Sequence, residues 1–486
     1  MYFEKGIAMI VLIIIGTIFL SFIAVILTRA LLFKPDLLQR AEGEEVCFDS
    51  EGAVYSLSEM IKCKTVSDSN KACEDEREFV KFKMLLRTLF PRTYEVSTVE
   101  EPSDRAILIK WEGKNHSSPT VLMAHYDVVS ANEEAWDIPA FDGCIKDGML
   151  WGRGAIDTKV TLNAIMYATE TLIKEGFTPE NDIYMAFGGD EEINGHGAKD
   201  IVALFSERGI TPGIVLDEGG AVVEGVFPGM KNPAALVGIA EKGMLNVEYS
   251  VRGGGGHSSA PERITPVGRL SRACVRIENK PFKFTLTPPA VKLFDNLARH
   301  STFVYRLIFA NLWCFSPILN IITSKSGGEL NAIVRTTTAF TQMEGSRGMN
   351  VIPPYARMVS NHRIIPGESA EGVLERIKKT VNDPKVDVGI IGGINPSRVS
   401  VTDGEPWHRL VSSISGTWNT AIVSPYLMLA CSDSRHWDEL SDRVYRFSPM
   451  SLSKEERATI HGNNERIPIT TIAKTVEFYI RFIKNS

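Results

Sequence analysis

No two of the seven cysteines in this 486-residue chain stand in a Cys-x-x-Cys pair, which excludes a thiolate zinc knuckle. Those seven are Cys47, Cys63, Cys73, Cys144, Cys274, Cys314 and Cys431, an odd number that leaves at least one free thiol in the monomer; Cys63 and Cys73 are able to pair in an oxidising compartment. A basic surplus is also missing. The 53 Lys and Arg are outnumbered by 59 Asp and Glu, for a net charge of -6, and this excludes the usual profile of a nucleic-acid binder. There is no internal repeat and no low-complexity tract, so solenoid and disordered architectures are set aside.

Charge is wholly absent from one stretch, Gly6 to Thr28. As a helix this run extends roughly 34 Å, enough to cross a bilayer core. Signal-peptide apolar regions are shorter and end at a small-x-small cleavage site, whereas this run continues into "RALLFKP". The first reading is a single-pass N-terminal anchor in a membrane; a cleaved secretory signal is the second. Lys5 precedes the run and Arg29 and Lys34 follow it, so the positive-inside rule leans by one charge towards a cytosolic C-terminal side.

The rest has ordinary globular composition, 44% hydrophobic and 23% charged, and length for more than one domain. The organisation read from it is anchor and connector over 1–40, a first catalytic segment over 41–240, an inserted lid over 241–392, and a second catalytic segment over 393–486. In the first catalytic segment, short apolar runs ("TVLMAH", "DIYMAF", "GIVLD") alternate with helical spacing, as in "TKVTLNAIMYATETLIKEG". Such alternation implies an α/β fold with a mostly parallel sheet covered on both faces, its sites at the carboxyl ends of the strands. From about Glu241 the pattern changes to alternating strands, a Gly-rich turn and helices, one of them opened by Ser369. This reads as a smaller α+β lid domain. Within it, "STFVYRLIFANLWCFSPILNIIT" is strongly apolar and is broken by Pro317. Buried packing is its first reading and a lid or interfacial helix pair its second; a further membrane span ranks below both.

The chemistry gathers where strands end. "FGGDEEINGHG" carries Asp190, Glu191 and Glu192 in succession after an apolar run. Adjacent like charges repel, so such a cluster calls for a cation. His125 and Asp127 follow the first run, Asp157 precedes a helix, Asp217 ends the third run, and His461 comes late in "TIHGNNERI". Imidazole nitrogens mixed with carboxylate oxygens suit zinc or a similar first-row ion. Five carboxylates exceed what one ion needs, and two ions bridged by a carboxylate would use them. Taken singly, each residue has a plainer reading: an Asp before a helix is usually a cap, and a histidine is usually on the surface or satisfied in the core. His116, His196, His300, His362, His408 and His436 keep that plainer reading.

The segments "AHYDVV", "GRGAIDTK", "GGDEEINGHGA", "VLDEGG", "GGGGHSSAPE" and "NVIPPYARMVSNHRIIPG" occur in that order. From about Leu57 to the C-terminus the chain resembles the dinuclear zinc exopeptidases and amidohydrolases that include carboxypeptidase S, aminoacylase and glutamate carboxypeptidase. The insert and the N-terminal apolar run bring it nearest the branch of carboxypeptidase S and the N-fatty-acyl-amino-acid hydrolases. The resemblance implies a zinc-exopeptidase-like three-layer catalytic domain with an inserted lid, and two zinc ions. By that likeness His125 and Asp217 would hold one ion, Glu192 and His461 the other, and Asp157 would bridge them. Asp127 would orient His125, and Glu191 would act as general base, taking a proton from water and returning it to the leaving nitrogen. His257 would stabilise the oxyanion, in dimeric relatives from the partner subunit, which implies a homodimer through the lid. Asn350 and Arg363 would bind the substrate carboxylate. Arg435 would lie near the substrate with Asp433 as a local brace, although "CSDSRHW" has Cys431 and Ser432 where the family has glycine and threonine. The implied substrate is a peptide or N-acyl amino acid with a free carboxylate. An inactive relative serving as a metal-binding or scaffold protein is the alternative; it would lack a ligand or the base, and none is missing.

Overall fold

Runs such as Val121–Ala124 and Ile183–Phe187 are buried on both faces, as strands between two layers must be. The structure is a computed structural model describing residues 2–35 and 45–486; most of the expected connector, with the boundary read at 40, lies outside the described residues. The first catalytic segment supplies β1 (Thr98–Glu100), β2 (Ala106–Trp111), β3 (Asn115–His125), β4 (Asn181–Gly188), β5 (Ile214–Val223) and β6 (Ala234–Glu241). The chain then leaves for β7 (Gly243–Arg252), β8 (Thr337–Glu344), β9 (Tyr355–Ile364) and β10 (Asp387–Ile394), and returns with β11 (Ile422–Met428) and β12 (Val444–Ser451).

The large sheet has the order β1-β2-β4-β3-β5-β12-β6-β11. Its β4–β3, β3–β5, β5–β12 and β6–β11 pairs are parallel and the others antiparallel, so it is mostly parallel, as expected. Ten helices matter below: α1 (Tyr2–Leu32), α2 (Ser50–Ile61), α3 (Lys159–Lys174), α4 (Pro266–Glu278), α5 (Pro288–Arg299), α6 (Phe303–Phe309), α7 (Leu312–Ser326), α8 (Ala370–Val381), α9 (Gly404–Thr417) and α10 (Ile469–Lys484). On one face of the sheet, α3, α9 and α10 bury Leu162, Ile165, Ile414, Val476 and Phe482 against Leu122, Met185 and Leu216. On the other, the helix Gly197–Glu207 and Trp437 cover Val121, Tyr184 and Val215. That is the expected three-layer arrangement.

The lid sheet, β8-β9-β7-β10, is antiparallel throughout. Its inner residues Leu245, Val247, Tyr249 and Met358 meet Leu270 and Ala273 of α4 and Val373 and Ile377 of α8. Ser369 caps α8 by accepting from the backbone N–H of Gly372. The apolar insert does not join this core. α5 lays Leu293, Phe294 and Leu297 on Leu236 and Ile422, so the insert covers the β6–β11 edge of the catalytic sheet. Each such side chain contributes about 1.5–3 kcal/mol on burial. α6 and α7 meet at a bend of 103°, and α7 is buried at Leu319 but exposed at Ile318, Ile321 and Ile322. Core packing thus holds for one face of the insert only.

The uncharged N-terminal run is one helix, α1, exposed along its length apart from its last turns, where Ile26 and Ala30 pack against the insert. All seven cysteines are free, Cys63 being buried and Cys73 exposed.

Candidate metal centre

His125 ends β3, and β4 ends two residues before the Asp190–Glu192 turn, so neighbouring parallel strands deliver both to the same rim. The sharp turn after β4 requires glycine: a Cβ on Gly189 would run into the Tyr126 ring. Asp190 takes no part in the cluster, because its carboxylate caps the next helix at His196 N (2.7 Å) and Gly197 N (3.0 Å). Glu191 and Glu192 then form a short turn whose two backbone N–H groups both donate to the Asp127 carboxylate at 3.1 Å. Ser67 donates to the same carboxylate at 2.6 Å. Asp127 therefore holds the two glutamates in place, and it also faces Nδ1 of His125 through its backbone oxygen (3.0 Å) and Oδ1 (3.3 Å). That leaves His125 Nε2 turned towards the cluster.

Asp157 lies between the two histidines. Its Oδ1 is 3.0 Å from His125 Nε2, and its Oδ2 is 3.0 Å from His461 Nε2. Glu192 is 3.1 Å from His461 Nε2, and Glu218 is 3.4 Å from His125 Nε2. His461 reaches this position from a backbone with φ of 58°, a left-handed conformation in which histidine is enriched several-fold.

These separations allow a test of fit. Two donors on one tetrahedral zinc, each about 2.0–2.1 Å from it, lie about 3.3 Å apart. The observed 3.0–3.4 Å spacings run from each imidazole to two carboxylates, His125 Nε2 to Asp157 and Glu218 and His461 Nε2 to Asp157 and Glu192, so Asp157 belongs to both donor sets. Donor atoms of His125, Asp157 and Glu192, and of His125, Glu191 and Glu218, also fall within 4.8 Å of one another. The residues present fit a pair of divalent cations.

Electrostatics agree. Burial alone would push the His125 pKa down, but Glu218, Asp127 and Asp157 raise it well above the usual imidazole value. Hydrogen bonds that Asp157 and Glu192 accept from its imidazole lift His461 to about 10 against its partial burial. Asp157 is held low by the two imidazoles although burial opposes this. Burial raises Glu191 well above the carboxylate range; His125 opposes, while Asp433 and Glu218 add to the rise. Burial takes Glu218 to about 7, with His125 opposing and Asp157 reinforcing. A cluster with this surplus of negative charge is a cation site by its chemistry.

Glu218 was not among the expected ligands; Asp217 was. Alternation along β5 puts Val215 and Leu216 on opposite faces, and Asp217 and Glu218 follow them to the strand end, where both acids line one small pocket with His125 and Glu191. Asp217 is turned to the side of Trp437 and accepts from Ser434 N at 2.9 Å. Ser432 and Ser434 in turn bind Glu241, and Glu241 pairs with the fully buried Arg446 at 2.8 Å. This buried network braces the 431–437 loop. The sequence signal "VLDEGG" offered both acids, and period 2 alone does not say which face looks towards the site.

A cavity of about 320 Å³ opens on the cluster. Asp157, Glu191, Glu192, Glu218 and His461 form one wall, and Met428, Met450, Leu452 and Ile460 form an apolar one. Cys431 lies at its edge, with Arg363 Nη1 3.6 Å from the sulfur. Arg435 donates to Asn194 Oδ1 (3.1 Å), and its buried Nε and Nη1 have no hydrogen-bond partner among the described residues. Neither Arg363 nor Arg435 lines this cavity, although Arg363 touches Cys431 of its lining, and two further expected residues lie well apart from it. His257 and Asn350 lie together on an exposed two-strand ribbon of the lid, where Ser258 N donates to Asn350 O at 3.0 Å and His257 pairs with Val351. His362, by contrast, is a buried core group bound to Ser360 and Thr338.

A family model described as peptidase family M20/M25/M40 matches residues 121–485. The chain is 37% identical over 440 residues to the N-fatty-acyl-amino acid synthase/hydrolase PM20D1 of Xenopus tropicalis, covering 89% of this chain and 85% of that one. It is 36% identical over 438 residues to a probable carboxypeptidase S-like 2 of Dictyostelium discoideum, covering 88% and 84%. Among solved structures it is similar to the M20 family metallo-carboxypeptidase Sso-CP2 of Sulfolobus solfataricus, with a TM-score of 0.66 and 17% identity, covering 89% of this chain and 98% of that one. That likeness bears on the fold.

Proposed function

This chain is a hydrolase of peptidase family M20/M25/M40, and we propose that it binds two zinc ions and cleaves an amide beside a free carboxylate, with N-acyl amino acids preferred to peptides. The observation that carries this reading is the pair of donor sets sharing Asp157, with Glu191 beside them on the same cavity wall. His125 and Glu218 hold one ion, His461 and Glu192 the other, and Asp157 reaches both. In this proposal Glu218 takes the place that sequence gave to Asp217. Bound ions supply Lewis acidity to the amide carbonyl and to the attacking water.

The remaining roles fall to the protein. Glu191, half-buried and raised in pKa, accepts the proton of the attacking water and delivers it to the leaving nitrogen. Asp127 keeps Glu191 and Glu192 in register through their two backbone N–H groups. Arg363, 3.6 Å from Cys431 of the cavity lining, is suited to the substrate carboxylate, since guanidinium pairs it through two parallel hydrogen bonds, and Arg435 is the second expected contact. The apolar wall of Met428, Met450, Leu452 and Ile460 suits an acyl chain. The exposed ribbon with His257 and Asn350 acts in a homodimer, where His257 of the partner subunit meets the oxyanion. α1 anchors the enzyme in a membrane, supported by its mean hydropathy of 3.2 and its exposed flanks.

The test is metal analysis of the detergent-purified chain together with rates on a long-chain N-acyl amino acid, its carboxamide and a dipeptide. Two zinc ions per chain and fastest cleavage of the free acid are expected. One ion per active chain, or equal rates on acid and carboxamide, would sink the reading.

A further inference from the structure

Between Lys5 and Val25 no residue of α1 is buried, a stretch of about 31 Å at 1.5 Å per residue. This matches a hydrocarbon core of about 30 Å. Contact with the body begins only at the end of that stretch. Phe22 meets Trp313 of α7 edge-on at 5.7 Å, Asn311 Nδ2 donates to Ile26 O at 3.1 Å, and Arg29 Nε donates to Ala310 O at 3.0 Å. Asn311 is itself buried, so anchor and insert are locked together rather than merely adjacent.

If the exposed part of α1 fills the bilayer, Trp313 is at its boundary. The surface around it is chemically matched to that position. Trp313, Pro317, Ile318, Ile321 and Ile322 recur at three- and four-residue spacing along α7, and the stripe meets no charge until Lys325. Trp313 is 57% exposed, and Ile318, Ile321 and Ile322 are each more than half exposed. The opposite face, at Leu319, is sealed against the catalytic domain. Indole side chains favour the lipid–water boundary, and a terminal lysine can extend its ammonium to the headgroups.

We propose that α7 is a second membrane contact: its Trp313–Ile322 stripe rests in the headgroup and upper acyl layer of the same bilayer that α1 spans. The proposal rests on the reading of α1 as an anchor. It fixes the catalytic domain against the bilayer, with the insert between lipid and the large sheet. Ala221 links the two, since it lines the cavity and also packs on the insert core.

The full chain is reconstituted in phosphatidylcholine vesicles whose lipids carry bromine on the upper acyl carbons. Flotation reports anchoring, and bromine quenching of tryptophan emission reports contact. The chain has seven tryptophans, and only Trp313 is strongly exposed. Wild type should float and lose about one seventh of its emission. Trp313→Phe should float equally and show no quenching. Replacing Ile318, Ile321 and Ile322 together with serine should leave flotation intact and at least halve the quenching. Flotation with bromine-insensitive emission, including the case in which cross-linking finds a second copy or another protein over the stripe, overturns the proposal and leaves the anchor standing. Failure to float overturns both.

Discussion

Replacing Glu218 and Asp217 one at a time separates ligand from brace. Glu218→Gln keeps the volume and removes the charge. Its Oε1 is 3.4 Å from His125 Nε2 and faces Asp157, whose Oδ1 is already 3.0 Å from the same nitrogen. Among the described residues Glu192 also comes within 4.8 Å of His125 and Asp157, but it is the partner of His461 in the other set. The variant should therefore fall from two ions per chain to about one after dialysis against a chelator-buffered solution. Losing that Lewis acid is worth several kcal/mol of transition-state stabilisation, so kcat/KM should fall about 10³-fold, at 1.36 kcal/mol per factor of ten. Asp217→Asn is different. Its amide oxygen can still accept from Ser434 N, now at 2.9 Å, and what goes is the charge-assisted part of its hydrogen bonds from Ser434, Ser432 and the Glu218 backbone, about 1 kcal/mol each. Metal content should stay at two and activity should remain within about tenfold. Elemental analysis by plasma mass spectrometry alongside amidase kinetics reads both. Two ions retained in Glu218→Gln, with metal lost from Asp217→Asn, would refute the assignment and the strand-face argument beneath it.

Glu191→Gln should keep both ions and lose at least three orders of magnitude in kcat, because general base catalysis is worth about 10²–10⁴-fold; a rate within tenfold of wild type would remove Glu191 from the role. Asp127→Ala frees the Glu191–Glu192 turn and one side of His125, and should weaken metal binding about 10–100-fold in competition with a chelator; unchanged affinity would mean the turn holds itself. Arg363→Ala should raise KM for free-acid substrates more than for their carboxamides, and equal effects on both would argue against carboxylate contact. Burial, with Arg363 adding and Glu368 opposing, takes the Lys242 pKa down to about 7 from an ordinary 10.5. Between those two values the unfolded chain holds a proton that the folded chain has shed, so this residue's contribution to stability rises with pH from about 7 to 10.5 and is flat below 7. The gap in melting temperature between Lys242→Met and wild type should accordingly shift in favour of wild type as pH rises from 7 to 10; a gap independent of pH would mean Lys242 titrates normally.

Most of the site was legible because it rests on strand ends and on short order-preserving segments. His125, Asp157, Glu191, Glu192 and His461 converge as the ordered motifs imply, although His461 is 269 residues from Glu192. Legibility failed where a choice depended on side-chain direction. Asp217 and Glu218 are neighbours of like charge, and only the register of β5 between β3 and β12 sets Glu218 at 3.4 Å from His125 Nε2 and Asp217 against Ser434. Asp127 does lie beside His125 Nδ1, but its two backbone partners are invisible until the Glu191 turn is built. Arg446 and Glu241 carry no motif at all, yet they fix the Ser432–Ser434 loop from a site with no exposed atoms on Arg446.

The insert posed a different kind of problem, because its composition is the same whether its apolar residues face protein or lipid. Sequence offered burial or an interface as alternatives, and the fold divides them by face. Leu293, Phe294, Leu297 and Leu319 close the β6–β11 edge, while Ile318, Ile321 and Ile322 do not. An edge strand left open is a pairing hazard, which accounts for the buried face. Nothing in protein stability accounts for the exposed one, since a monomer gains nothing from a stripe of isoleucine in water. In the proposed membrane contact, its position against the last turns of α1 gives that face a physical purpose. It follows that substitutions on the two faces should behave oppositely. Leu297→Ala should cost about 2–5 kcal/mol of stability in detergent and in vesicles alike. Ile321→Ser should be nearly neutral in detergent and change only the protein's contact with lipid. If Ile321→Ser instead destabilised the detergent-solubilised chain as much as Leu297→Ala, the exposed face would be packed against protein, and the division by face would be wrong.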